Sequence, residues 1–354
     1  MGLLRLLFAL SVVIGHAGLL FNYNIANSRI AVLSFFIISG FYMALILDKK
    51  YNNKSTFLFL SNRFLRIFPL YWIILLIIFT LTLLKFLFHL GTADNAIIHY
   101  INWSPHTSQF IFGLDLFNFI MRNITLIFTF DYFIVNNNTP GYLMIQQAWS
   151  LQIELLFYLL APFLTRFPTK SLLVFTFLYL FLFFGFVIPF HLFQYNLIYF
   201  WISYLVYFLA GIMSYRFLHK RLLIIKPHPY FVQIISILFI SYLLLYNFFP
   251  FKFSFPLIHD SDLPYYAMLA ISLPFIFLQT SSSIIDAFIG KLSYPIYVSH
   301  ILIIKLISNI PLFHNESNLK TVIVIVFTIL LSFFMVKLIE SPINRFRQAR
   351  VKSL

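Results

Sequence analysis

The 354-residue chain has no cysteine. Disulfides, thiol nucleophiles and thiolate metal sites are therefore excluded, while the redox compartment stays open. Charge is scarce as well. Only 10% of residues are charged, against about 25% in a soluble domain. Acids are the scarcest, with 10 Asp and Glu to 24 Lys and Arg. No phosphate-binding loop, nucleotide fingerprint or metal-ligand cluster is present, and the histidines are scattered, so no metal is expected. No repeat of 20–50 residues is seen. What fills the chain instead is apolar: 61% of residues are hydrophobic and mean hydropathy is +0.93. The fold class expected is all-α, a polytopic transmembrane helix bundle. The net charge of +14 does not point to nucleic acid, because the basic residues follow loops rather than one folded face.

A transmembrane helix needs about 20 apolar residues. About ten spans are expected, at 3–21, 30–47, 69–90, 147–165, 171–189, 196–216, 230–249, 264–281, 292–310 and 320–338. Residues 1–20 read as a first span rather than a signal peptide, since no small-x-small cleavage site follows. Residues 117–135 are interrupted by Arg122 and Asp131 and read as a re-entrant or surface helix, with an eleventh span as the alternative. Ten spans place both termini on one side. With that side cytoplasmic, 18 Lys and Arg lie inside and 6 outside, as the positive-inside rule requires. The long outer segment, about 91–146, could cap a site on the outer face. The organisation expected is one membrane domain over 1–345 and a short basic tail over 346–354, with no fused extracytoplasmic domain.

Few polar groups fall inside these spans. Glu154, in "AWSLQIELLFYLLAPF", is the clearest. An ionisable group in lipid costs several kcal/mol, about 2.5–3.5 at a helix centre for Asp, Arg or Lys, and is functional by default. Ser150 and Tyr158 stand four residues to either side, so all three share a helix face. Those hydroxyls, a histidine or a cation could satisfy the carboxylate. Arg5 and His16, in "RLLFALSVVIGH", are 11 residues apart. They face one way, about 16 Å apart along the axis. Imidazole is the usual proton-transfer group near neutral pH; a histidine bonding a neighbouring helix is the equal alternative. Arg63 and Arg66, in "RFLRIFPLYW", are i and i+3 and can meet one ligand. Guanidinium suits phosphate oxygens, although positive-inside anchoring explains them as well. Ser39, in "SFFIISGF", belongs to a small-residue pair that serves close packing as readily as binding. In "LSYPIYVSH", Tyr297 precedes His300 by three, and an interhelical polar pair is as good a reading as catalysis.

These fragments, in this order, resemble the acyltransferase-3 family of bacterial integral-membrane acyltransferases. The opening arginine and histidine resemble its first-span signature. The stretch "SFFIISGF" resembles its Phe-Phe-x-x-Ser-Gly-Phe, and "RFLRIFPLYW" its Arg-x-x-Arg-x-x-Pro. "AWSLQIELLFY", with Trp149 leading, resembles Trp-Ser-Leu-x-x-Glu-x-x-Phe-Tyr. "LSYPIYVSH" resembles Ser-Tyr-x-x-Tyr-x-x-His, and "IESPINR" a closing Glu-x-Pro. The likeness runs from residue 3 to about 345. Leu6 stands where the family often has Gly, and Leu33 where it often has Asp, so no role is carried over for that Asp.

The resemblance implies an O-acetyltransferase of the bacterial cytoplasmic (inner) membrane. It would move an acyl group, usually acetyl, from cytoplasmic acyl-CoA to a carbohydrate hydroxyl. Acceptors of that kind are lipopolysaccharide O-antigen, capsule and exopolysaccharide. Acetyl-CoA would be the donor co-substrate, and membrane lipids and a lipid-linked or free carbohydrate the partners. His16 would be the catalytic imidazole and Glu154 part of the catalytic or acceptor site. Arg5, Arg63 and Arg66 would bind the CoA phosphates, with Ser39, Trp149, Ser150, Tyr158, Tyr297 and His300 supporting. A polysaccharide polymerase or flippase would need more arginine in the outer segment than Arg122. A transporter would show two similar halves.

Overall fold

The computed structural model describes residues 1–51, 55–88, 117, 119–126, 143–182, 197–250, 262–310, 313 and 317–352. Most of these residues are helical, and no strand occurs among them. In chain order the helices are α1 (Gly2–Ala17), α2 (Ser28–Lys49), α3 (Thr56–Leu87), α4 (Trp149–Leu164), α5 (Thr169–Leu182) and α6 (Leu197–Met213). Then come α7 (Lys220–Ile225), α8 (Pro229–Leu245), α9 (Leu263–Thr280), α10 (Ile284–Ser308), α11 (Asn318–Met335) and α12 (Ser341–Lys352). Asn27, Ser283 and Ser317 cap α2, α10 and α11 by accepting from backbone N–H groups in the first turn, which would otherwise lack partners. Two π-helical turns, Ser214–His219 and Val336–Glu340, join α6 to α7 and α11 to α12.

Each of the ten expected apolar stretches overlaps a helix within its described residues. Length and apolarity qualify five helices, among the described residues, to cross a membrane: Ser28–Lys49, Thr56–Lys85, Leu263–Thr280, Ile284–Ser308 and Asn318–Lys352. The third expected span, 69–90, needs correction. Its helix begins at Thr56 and runs through Pro69. One lost backbone bond at a proline is tolerable where neighbouring helices supply packing. Arg63 and Arg66 therefore share one helix, as their i and i+3 spacing implied, and that helix is continuous with the span. Most of 91–146 and the second half of 171–189 lie outside the described residues.

α2 is apolar all round, and a helix of that kind is buried. It is the centre of the bundle and packs on α1, α4, α6 and α9. Gly40 and Gly211 let α2 and α6 meet backbone to backbone: a Cβ on Gly211 would lie 2.0 Å from the Ile37 carbonyl oxygen. α1 and α10 run parallel. At one end the Asp286 carboxylate accepts from the backbone N–H of Gly2 at 2.6 Å and of Leu3 at 2.9 Å. Fourteen residues further along each helix, His16 meets His300. This pairing sets the two ends of the site.

Candidate functional site

Five helices, α1, α2, α3, α4 and α10, line an open-mouthed chamber with about 730 Å³ of empty space. Its polar wall carries Arg5, Ser39, Tyr42, Arg66, Ser150 and Glu154, with Ser293, Tyr294 and Tyr297 from α10. The rest is apolar, including Phe35, Phe36, Met43 and Leu151. A second chamber of about 1040 Å³ lies towards the start of α1 and α3. Arg5 and Arg66 line both, so the two spaces meet at a pair of guanidinium groups. Arg5, Lys50, Arg63, Arg66, Lys291 and Arg347 line the second chamber, and Glu340 is the one carboxylate among its lining residues.

Glu154 sits five residues into α4, about 7–8 Å along the axis at 1.5 Å per residue. Its Oε1 accepts from Ser39 Oγ at 3.3 Å and from the Tyr158 hydroxyl. The Tyr158 bond is the i+4 contact expected. The Ser150 bond is not formed. Ser150 instead lies 2.6 Å from the Tyr297 hydroxyl and donates to the Gln147 carbonyl at 3.2 Å. A serine hydroxyl in a helix reaches the carbonyl a turn back more easily than a carboxylate a turn ahead. Ser39, brought in from α2, takes its place. The pair at 39–40 thus divides its work: Ser39 faces the carboxylate and Gly40 packs.

Arg63 is buried at 3% exposure. Its guanidinium carbon lies 5.7 Å from the Tyr158 ring centroid and 5.3 Å from that of Phe59, within cation–π range. Its Nε and Nη1 have no hydrogen-bond partner. Trp149 packs its ring 5.8 Å from Tyr204 of α6 and does not line the chamber.

His16 ends α1, exposed, and does not line the chamber that holds Glu154. The two are not hydrogen-bonded to each other, so among the partners expected for the carboxylate the one found is a hydroxyl and not a histidine. The group on His16 is His300. His16 Nδ1 lies 3.2 Å from His300 Nε2, and the rings stack with centroids 5.2 Å apart. His300 Nδ1 lies 2.7 Å from the Tyr297 carbonyl oxygen. A carbonyl only accepts, so His300 Nδ1 carries the proton. In a neutral ring Nε2 then holds the lone pair. His16 Nδ1–H donates to it, and His16 Nε2 is left as a free base. This assignment follows from the bonding pattern. Gln147 steadies the same turn of α10 by donating to the Val298 carbonyl at 2.9 Å. Tyr297 joins the two halves of the site: its hydroxyl lines the chamber beside Ser150, and its carbonyl holds His300.

Three features escape sequence reading. Gln147 looks like one more polar residue ahead of α4. Lys291 and Arg347 look like ordinary positive-inside anchors. Glu340, within "IESPINR", gives a signal only through its place in a motif.

Residues 1–337 match the model of a family described as an acyltransferase domain. No curated protein and no solved structure matches the chain.

Proposed function

The chain belongs to the acyltransferase-3 family and is a membrane acyltransferase, and from that premise we propose that it moves an acyl group from cytoplasmic acyl-CoA to a hydroxyl of a cell-surface carbohydrate. Acetyl is the simplest donor group. The seat would be a bacterial cytoplasmic membrane, crossed about ten times with both termini inside. O-antigen, capsule and exopolysaccharide are acceptors of the right chemistry. The observation that carries this reading is the arrangement of the two chambers. A cation-rich space opens at the end where α1 and α3 begin, and it joins a largely apolar one through Arg5 and Arg66. Such a pair suits a donor with a phosphorylated head and a thin thioester arm.

On this reading the CoA phosphates sit against Arg5, Arg63 and Arg66, whose guanidinium donors fit phosphate oxygens in pairs. The pantetheine arm passes the neck into the chamber of Glu154. The acceptor approaches from the end where His16 is exposed. His16 Nε2 takes the acceptor hydroxyl proton, a step that typically contributes about 10²–10⁴-fold. The oxygen attacks the thioester carbonyl, the carbon–sulfur bond breaks, and the proton passes from His16 to the departing thiolate. His300 holds His16 in the tautomer this needs. Glu154, with Ser39 and Tyr158, would position the donor arm or an acceptor hydroxyl.

One observation favours a two-step variant. Phe35 of α2 and Tyr297 of α10 meet edge to face at 6.4 Å on the chamber wall, one turn short of His300. In that variant His16 Nε2 attacks the thioester carbonyl and the carbon–sulfur bond breaks with CoA leaving as the thiolate. The acceptor oxygen then takes the acyl group from His16, which is freed, and the acceptor proton ends on the thiolate.

The test compares surface polysaccharide from cells carrying the intact gene and the His16→Ala form. Base-labile O-acyl esters are read by proton NMR before and after mild alkali. The ester is expected with the intact gene and lost with the variant at equal membrane level. Equal ester from both would sink the reading.

A further inference from the structure

The chain continues past the matched segment into α12, and α12 walls the basic chamber. Ile343, Asn344, Arg347, Gln348 and Val351 line it, a spacing that is one face of a helix. Other residues hold the helix there. Arg350 donates to Asn62 Oδ1 at 3.1 Å and Ser61 Oγ at 3.0 Å, both on α3. Lys50 donates to Gln348 Oε1 at 3.4 Å. Docking of α12 therefore has bonds that do not involve Arg347.

Arg347 Nε is buried with no hydrogen-bond partner, and so are Nε and Nη1 of Arg63 in the same chamber. Buried N–H groups are nearly always paired, because leaving one unpaired forfeits its full hydration. Cations outnumber the single carboxylate, Glu340, among the lining residues six to one. Unpaired guanidinium donors from two elements, in a space with that excess of positive charge, call for an anion with several acceptor oxygens. A phosphate monoester fits: it carries about −1.5 to −2 charges near neutral pH and three strong acceptor oxygens.

We propose that Arg347 of α12 holds the terminal phosphate monoester at the nucleotide end of the donor, which makes the C-terminal helix part of the donor site. The inference rests on the acyl-CoA reading. Arg5 and Arg66 line the neck and face the part of the donor nearer its thioester, whereas Arg347 does not line the inner chamber. The protein then discriminates between donors that differ only in that phosphate.

The experiment measures binding of CoA and of 3′-dephospho-CoA to the purified full-length protein in zwitterionic nanodiscs, by calorimetry. Three forms are compared: intact, Arg347→Gln and Arg347→Lys. The intact protein is expected to bind CoA about tenfold or more tighter than the dephospho form. Arg347→Gln should erase that gap and leave dephospho-CoA binding unchanged, while Arg347→Lys keeps part of the gap. A Gln form that loses both ligands equally would show α12 to be a structural support, and the proposal would fall. A gap that survives in the Gln form would also overturn it. Anionic lipid offers the same phosphate chemistry, so the titrations are repeated with phosphatidylglycerol in the nanodiscs. Competition that depends on Arg347, with the donor gap intact in the Gln form, would assign the site to lipid and overturn the proposal. An intact protein that binds neither CoA form would remove the acyl-CoA reading itself, a distinct result.

Discussion

His300 has 0% exposure and touches no solvent, yet it decides what His16 can do. Its Nδ1 is committed to the Tyr297 carbonyl at 2.7 Å, so only its Nε2 faces His16, and in a neutral ring it does so as an acceptor. On the proposed mechanism a buried imidazole would stand where many hydrolases use a carboxylate. A neutral orienter avoids placing a charge at that depth, which is expensive in lipid. The prediction separates orientation from bulk. A glutamine at 300 places an amide oxygen near the position of Nε2 and can still accept from His16. A leucine cannot. His300→Leu is expected to cost transfer activity up to the about 10²–10⁴-fold that a positioned general base provides, and His300→Gln to keep a substantial part of it. Ester content of surface carbohydrate at matched protein level checks this. Equal activity of the Gln and Leu forms would mean that His300 fills space rather than orients.

At the scale of the helix, close approach is the controlling quantity. Gly40 on α2 and Gly211 on α6 stand face to face, and a Cβ on Gly40 would lie 2.1 Å from the Phe208 carbonyl oxygen. In lipid, helix association depends on such packing more than on the hydrophobic effect. Ala is otherwise about 1 kcal/mol better than Gly inside a helix. Here the backbone cannot yield, and overpacking costs about 1–3 kcal/mol. Gly211→Ala should lower the thermal unfolding midpoint in detergent, and a midpoint equal to or above that of the intact protein would show that the contact is loose. This crossing also shows what was legible in the sequence. The small pair at Ser39 and Gly40 was visible, and hydropathy located the apolar stretches. Which member packs and which binds was not, because that depends on α4 bringing Glu154 beside one and α6 bringing Phe208 beside the other. The same limit applies to Ser150: spacing placed it on the face of Glu154, but its hydroxyl found Tyr297 on a helix almost 150 residues away in sequence. The third span was started too late, at 69, because hydropathy marks the apolar stretch and not the more polar turns of the same helix ahead of it. Arg347 was hidden because an anchoring arginine and a ligand-binding one have the same sequence signature.

Over the whole molecule, the polar groups sort along one axis. The basic chamber draws on the beginnings of α1, α3 and α10, the residue after α2 and the helix after α11. Those positions share one end of the bundle. The opposite end carries His16, the turn from Leu20 to Tyr23, and Asn247 reaching the Asn24 carbonyl. A transferase with a cytoplasmic donor needs the basic end inside, where the excess of Lys and Arg also belongs. The absence of cysteine makes this directly testable, because any thiol label must report an introduced residue. Leu19, 51% exposed beyond α1, marks the His16 end, and Ser282, exposed between α9 and α10, marks the end near Met1 and Asp286. In intact cells a membrane-impermeant maleimide should label Leu19→Cys and spare Ser282→Cys. In inverted membrane vesicles the pattern should reverse. Labelling of Ser282→Cys from outside would put the basic chamber on the wrong face for a cytoplasmic nucleotide donor. The phosphate-binding role of Arg5, Arg63, Arg66 and Arg347 would then have to be sought in an anionic group outside the cell.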